Sequence, residues 1–111
     1  MAVNISQFFG QDIPNAFANN PTAAKQIEVK VQYVITGEGG GQWFVNASSS
    51  GPSCVAGNQG GADCTLTMSA EDFQTYRENP LSSGTQLFFS GKLKVQGNQA
   101  LVPQAAKIFS V

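Results

Sequence analysis

Residues 62–98 read ADCTLTMSAEDFQTYRENPLSSGTQLFFSGKLKVQGN, and two changes of period within them decide the fold. Cys64, Leu66 and Met68 alternate with Thr65 and Thr67, the period of two that buries one face of a β-strand. At Ser69 the pattern changes. Ser69-Ala70-Glu71-Asp72 sets an N-cap before two acids, where a helix dipole favours negative charge. Phe73 and Tyr76 then share a helical face with Ala70. Asn79-Pro80 ends that helix, Ser82-Ser83-Gly84 reads as a loop, and residues 85–89 read as a short helix. A second strand follows between Gly91 and Gly97, with Leu93 and Val95 alternating with Lys92, Lys94 and Gln96.

Working outward, Ile27, Val29, Val31, Tyr33 and Ile35 alternate with Glu28, Lys30, Gln32 and Val34, giving another half-buried strand. Gly37-Glu38-Gly39-Gly40-Gly41 is a turn, and Trp43, Val45 and Ala47 form the antiparallel return. A glycine-rich loop invites a phosphate-binding reading. A phosphate cradle, however, needs a helix N-terminus behind it; a strand follows here, and Gly-Lys-Ser/Thr does not occur. Residues 48–51 form a polar turn, Cys54-Val55-Ala56 a short third strand, and Gly57-Asn58-Gln59-Gly60-Gly61 a loop. Towards the N-terminus, Val3, Ile5, Phe8, Phe9, Ile13, Ala16, Phe17 and Ala24 supply apolar positions. Asn4 is placed to cap a first helix, Pro14 opens a second through Asn19, and Pro21 starts a final turn. At the other end Asn98 caps a closing helix with Leu101, Ala105, Ile108 and Phe109 on one face; Pro103 is tolerable in its first turns.

Composition narrows the function. The 111 residues suit a single domain over 1–111, and 41% hydrophobic residues with eight Phe supply a core. Charged residues are only 12% and the net charge is −1, which gives neither nucleic acid nor an anionic membrane a strong electrostatic hold. No apolar run approaches a membrane span of about 20 residues, so stable membrane insertion is not expected. No basic-plus-apolar leader is apparent, and a cytoplasmic protein is the expectation. With no histidine and two cysteines, hydrolase triads lose their usual base and a structural zinc lacks ligands. Glu71 and Asp72 are adjacent on a helix and diverge, so they serve the helix start. Asp63 reads as a turn anchor, and Lys92 and Lys94 as solvent-facing charges that discourage edge pairing. Cys54 and Cys64 read as small apolar residues in or near neighbouring strands, with a disulfide as the alternative. The expectation is therefore no enzyme, no catalytic residue, no metal and no cofactor.

The order of these segments resembles the sterol carrier protein 2 family over roughly residues 27–109. The resemblance is carried by Ala62, Asp63, Thr65, Thr67, Ser69, Glu71, Asp72 and Phe73, then by Phe89, Ser90, Gly91, Lys92, Leu93, Val95 and Gly97. Tyr33 through Gly40, followed by Trp43, fits that family's first hairpin. The chain departs from the pattern in the connection over 79–84, in Asn98 where Asp is common, and in ending Phe109-Ser110-Val111 without a peroxisomal tripeptide.

The fold expected is α/β (α+β): a five-stranded, mostly antiparallel twisted sheet covered by helices. Phe73, Tyr76, Leu87, Phe88, Phe89, Leu101, Ala105, Ile108 and Phe109 come from the helices, over Leu66, Met68, Leu93 and Val95. From the residues alone this set is either a filled core or the lining of a cavity. The resemblance implies the second, an apolar tunnel for a fatty-acyl, acyl-CoA, sterol or phospholipid ligand. The C-terminal helix would be its gate, and Leu81, Phe88 and Phe89 are candidates to fill the tunnel themselves. It also implies a lipid ligand as principal partner, with a partner enzyme or a homo-oligomer as the alternative, in which the domain presents a lipophilic intermediate.

Overall fold

The computed structural model describes residues 4–58 and 60–111; Val3, read above as an apolar position, and Gln59, placed in a loop, lie outside them. β1 (Val29–Thr36) is the central strand. It runs antiparallel to β2 (Gly41–Ala47) and parallel to β4 (Cys64–Ser69). β3 (Ser53–Ala56) lines the outer edge of β2, and β5 (Lys94–Gly97) the outer edge of β4, both antiparallel. The order β3-β2-β1-β4-β5 is thus a mixed, mostly antiparallel five-stranded sheet. Asp63 clasps three strands at one end: its carboxylate accepts from the Lys30 amide at 3.0 Å, its amide donates to the Lys30 carbonyl, and its carbonyl accepts from Asn98.

Helices cover one face. Ile5–Gln7 (α1), a π turn at Phe8–Asp12 and Ile13–Asn19 (α2) run on as one rod, capped by the Asn4 side chain on the Gln7 amide. Ile5, Phe9, Ile13 and Phe17 along it are all buried. A spacing of four drifts by about 40° per step on an α-helix; the wider π turn takes up part of that drift and keeps the stripe on the sheet. Pro14 stands in the first turn of α2, which ends at Asn19 as expected, and α2 continues the rod without a break. Pro14 thus lies inside the rod, and its missing N–H leaves a carbonyl one turn back without its helical donor. The Cys54 thiol donates to the Phe9 carbonyl at 3.1 Å and fastens the rod to β3.

After α3 (Pro21–Gln26) and the sheet strands come α4 (Ala70–Glu78), capped by Ser69 Oγ on the Asp72 amide, and α5 (Pro80–Phe89). Here the structure corrects the sequence reading: residues 82–84 are helical, and α5 starts at Pro80, a residue suited to a first helical position. Gly84 is buried inside α5, where a Cβ would stand 3.1 Å from Tyr76 Cε1. It serves close helix packing, not a break. The fifth strand also begins later than expected, at Lys94, because the Lys92 and Leu93 amides both donate to the Leu87 carbonyl and close the end of α5. The chain finishes with a 3-10 turn at Gln99–Leu101 capped by Asn98, α6 (Val102–Lys107) and a second 3-10 turn at Ile108–Ser110.

Both cysteines are free. Cys54 pairs with Val45, Val45 with Val31, and Val31 with Cys64. The thiols therefore share one row but stand about 14 Å apart, three strand spacings, well beyond the reach of a disulfide. They are not on neighbouring strands.

Candidate functional site

The sheet's inward row at mid-height runs Trp43, Tyr33, Leu66 and Val95 on β2, β1, β4 and β5. Above it stand rings from three sources: Phe8 and Phe9 from the rod, Phe73 and Tyr76 from α4, and Phe109 from the last 3-10 turn. Phe9 stacks on Trp43 at 4.7 Å between centroids and leans on Tyr33 and Phe73 at 5.2 and 5.3 Å. Phe109 stacks flat on Phe8 at 5.6 Å and meets Tyr33, Phe73 and Tyr76 at 5.9, 6.1 and 5.4 Å. One half-buried ring thus closes over four others. The space between sheet and helices is filled by the chain's own aromatic side chains.

Of the residues singled out from sequence, Leu66, Met68, Phe73, Tyr76, Leu87, Leu93, Ala105 and Ile108 come together in this buried cluster, and Val95, Leu101 and Phe109 border it. Phe88 and Phe89 do not join them, being 37% and 81% exposed, and Leu81 is also exposed. Neighbouring helix positions diverge by about 100°, and Gly84 and Leu87 already occupy the inward face of α5. The three residues considered as tunnel fillers therefore face solvent. Phe8, Phe9, Tyr33 and Trp43, which are not in that set, do the filling. The alternation of β1 and β2 already placed Tyr33 and Trp43 on the buried face; the missing step was to let the N-terminal rod lie across that face.

The seam between α5 and α6 is flanked by two open apolar grooves that share Pro103. One, of about 250 Å³, is lined by Gly84, Phe88, Phe89 and Val102; the other, of about 260 Å³, by Pro80, Leu81, Ala106 and Lys107. Each is below the roughly 300–1,000 Å³ of a small-molecule site. They mark where the cover meets the wall.

Electrostatically the interior is neutral. Burial pushes the Cys54 thiol up to about 12 and the Cys64 thiol to about 11, with Asp63 adding to the second. Burial also raises both phenols. The Tyr33 and Tyr76 hydroxyls lie side by side and act on each other as hydrogen-bond partners, which raises the Tyr33 phenol and offsets part of the rise in Tyr76. Every lysine is at least partly exposed. Such an interior has the chemistry to pack against hydrocarbon.

Residues 11–110 match the SCP-2 sterol transfer family. Hydroxysteroid dehydrogenase-like protein 2 of Bos taurus is 34% identical over 87 residues, 78% of this chain and 21% of that protein, so the chain spans about a fifth of this relative's length. Two solved structures share the fold. Sterol carrier protein 2 from Yarrowia lipolytica, in its apo form, has a TM-score of 0.70 at 24% identity, covering 89% of this chain and 85% of that one. Sterol carrier protein 2 of Aedes aegypti in complex with palmitate also has a TM-score of 0.70, at 19% identity, covering 99% of this chain and 97% of that one. Among the described residues no helix is long and apolar enough to cross a membrane.

Proposed function

The chain belongs to the SCP-2 sterol transfer family, and from that premise we propose a non-catalytic cytoplasmic carrier. It takes a fatty acyl chain, acyl-CoA, sterol or phospholipid tail between its sheet and its covering helices. The observation that carries this reading is the neutral aromatic interior between sheet and helices, bordered by the half-buried stacked pair Phe8 and Phe109 and by a seam with apolar grooves on both sides. Each buried CH₂ contributes about 0.8 kcal/mol, so a long chain needs little polar recognition. The palmitate complex of the Aedes aegypti protein, alike in fold, supports a single-chain ligand.

Native mass spectrometry of the purified protein, with displacement of a fluorescent fatty acid, tests the reading. Saturable one-to-one binding is expected. Phe89→Asp, on the exposed side of α5, should fold and slow uptake; Lys94→Ala, on the opposite face of the sheet, should leave it unchanged. A protein that takes up no acyl chain at any concentration overturns the carrier.

The length of the bovine relative favours one further reading, in which the domain presents a lipophilic intermediate to an enzyme. In that case this chain would elute with an enzyme partner, or as a stable homo-oligomer, and would carry lipid only in that assembly.

A further inference from the structure

α5 carries two apolar faces, and the fold uses only one of them. Gly84 and Leu87 turn inward and are buried. Leu81, Thr85, Phe88 and Phe89 stand at i, i+4, i+7 and i+8, the spacing of a second stripe on the same helix. Three of the four large apolar side chains exposed among the described residues lie in that stripe; the fourth, Val55, is on β3. The stripe's polar member, Thr85, gives its hydroxyl hydrogen to the Leu81 carbonyl at 3.0 Å, so it too leaves water at little cost. Across the two grooves the stripe continues into Val102 and Pro103 of α6. The N-terminal rod offers nothing comparable, because its own apolar stripe is buried on the sheet.

A contiguous exposed apolar patch marks a binding face, and charge says for what. Residues 79–111 contain Lys92, Lys94 and Lys107 but no Asp or Glu; all seven acids lie in residues 1–78. The net charge of −1 hides this division. Lys107 lines the groove beside Leu81, and neither groove has an acid among its described lining residues. Lys92 lies on the other flank of α5, across a polar groove from Glu71 and Asp72, so Lys107 is the lysine best placed. We propose that the outer stripe of α5 and the α6 seam beside it form a docking face for an anionic lipid bilayer. Leu81, Phe88 and Phe89 enter the headgroup boundary, and Lys107 meets anionic headgroups. A bilayer adapts to shallow, open grooves, whereas a protein partner must match them in shape. The contact is peripheral and reversible, since electrostatic attraction fades within about 8–10 Å. The docking stands on this surface alone; passage of a lipid there into the interior rests on the carrier reading, α6 being part of the cover that would open.

The test is co-sedimentation of the full chain with phosphatidylcholine vesicles containing about 30% phosphatidylserine, without added ligand. The parent chain should bind. The double variant Phe88→Ser, Phe89→Ser should bind at least about tenfold more weakly. Lys107→Gln should bind about three- to fivefold more weakly, and that loss should vanish on pure phosphatidylcholine or in about 0.5 M salt. Val55→Ser, exposed but on β3, should bind like the parent. All these side chains are exposed, so the variants should fold, and unchanged melting temperatures check it. Binding that survives the double phenylalanine variant, or that Val55→Ser weakens equally, overturns the docking face. Absence of vesicle binding by the parent also overturns it; a parent dimer that the double variant splits would then give the face to a second copy of the chain. Uptake of a fatty acid from solution is read separately. The docking face can therefore fail with the carrier standing, and a chain that docks yet takes up no acyl chain loses the carrier and keeps the face.

Discussion

The N-terminal rod and the C-terminal cover lie over the same sheet but hold it differently. The rod buries Ile5, Phe9, Ile13 and Phe17 at every fourth position and is fastened to β3 through the Cys54 thiol. The cover, from Gln99 to the last 3-10 turn, buries Ala105, Ala106 and Ile108 and leaves Phe109 half-buried. A buried Ile or Phe contributes about 1.5–3 kcal/mol, an alanine methyl less than about 1. The rod is therefore the more firmly held of the two, and the carrier proposed above would use the cover as its lid. Opening free energies are unequal across a fold in this way, lowest where few large apolar groups are held.

The largest expected effect tests that asymmetry. Phe9→Ala should cost about 3–5 kcal/mol in urea unfolding, as for a fully buried ring, whereas Phe109→Ala should cost about 1–2, its ring being already half in water. The second variant should also take up acyl chains faster. Equal losses from the two would mean the cover is as fixed as the rod.

Alkali probes both regions at once. Folding raises the pKa of Cys54 from 9 to about 12 and of Cys64 from 9 to about 11. A group whose pKa is raised on folding stabilises the fold while it stays protonated. Its contribution is complete below pH 9 and is lost as pH climbs towards the folded value. Unfolding midpoints should hold level from pH 6 to 8 and fall from pH 9 to 12, by at most about 1.4 kcal/mol per pH unit for each titrating group. A level profile through pH 11 would mean that these thiols meet solvent.

Gly84→Ala gauges how tightly the wall beside the cover is held. The new Cβ would sit 3.1 Å from Tyr76 Cε1. Replacing a helical glycine gains up to about 1 kcal/mol, and overpacking costs about 1–3. With Phe109 free to shift, Tyr76 can move and the net loss should stay near 1 kcal/mol in thermal melts. A loss above about 3 would show a rigid cover.

These particulars also show how far the sequence could be read. The five strands, the Ser69 and Asn98 caps and most of the buried cluster followed from alternation and cap chemistry, which are local. What escaped was non-local. Gly84 reads as a breaker until Tyr76 is known to lie against it, and Phe88 and Phe89 read as lining until Leu87 is seen to hold the inward face. Tyr33 lay on the strand's buried face in plain view, but its importance rests on Tyr76 standing beside it, 43 positions along the chain. Periodicity reports which face is buried and is silent on which buried faces meet.

The finest test concerns the thiol that fastens the rod. Pro14 has no N–H, so the π turn before it leaves the Phe9 carbonyl without a helical donor, and Cys54 supplies one from β3. Cys54→Ala should then cost about 1 kcal/mol beyond its small loss of packing, while Cys54→Ser, which keeps a donor, should cost less. Pro14→Ala returns an N–H to the rod and gives the carbonyl a second source. In that background Cys54→Ala should lose most of its effect, a coupling of about 0.5–1 kcal/mol in a double-mutant cycle read by urea unfolding. Additive losses would mean that the thiol and the proline act separately, and that the rod owes its grip to its four buried side chains alone.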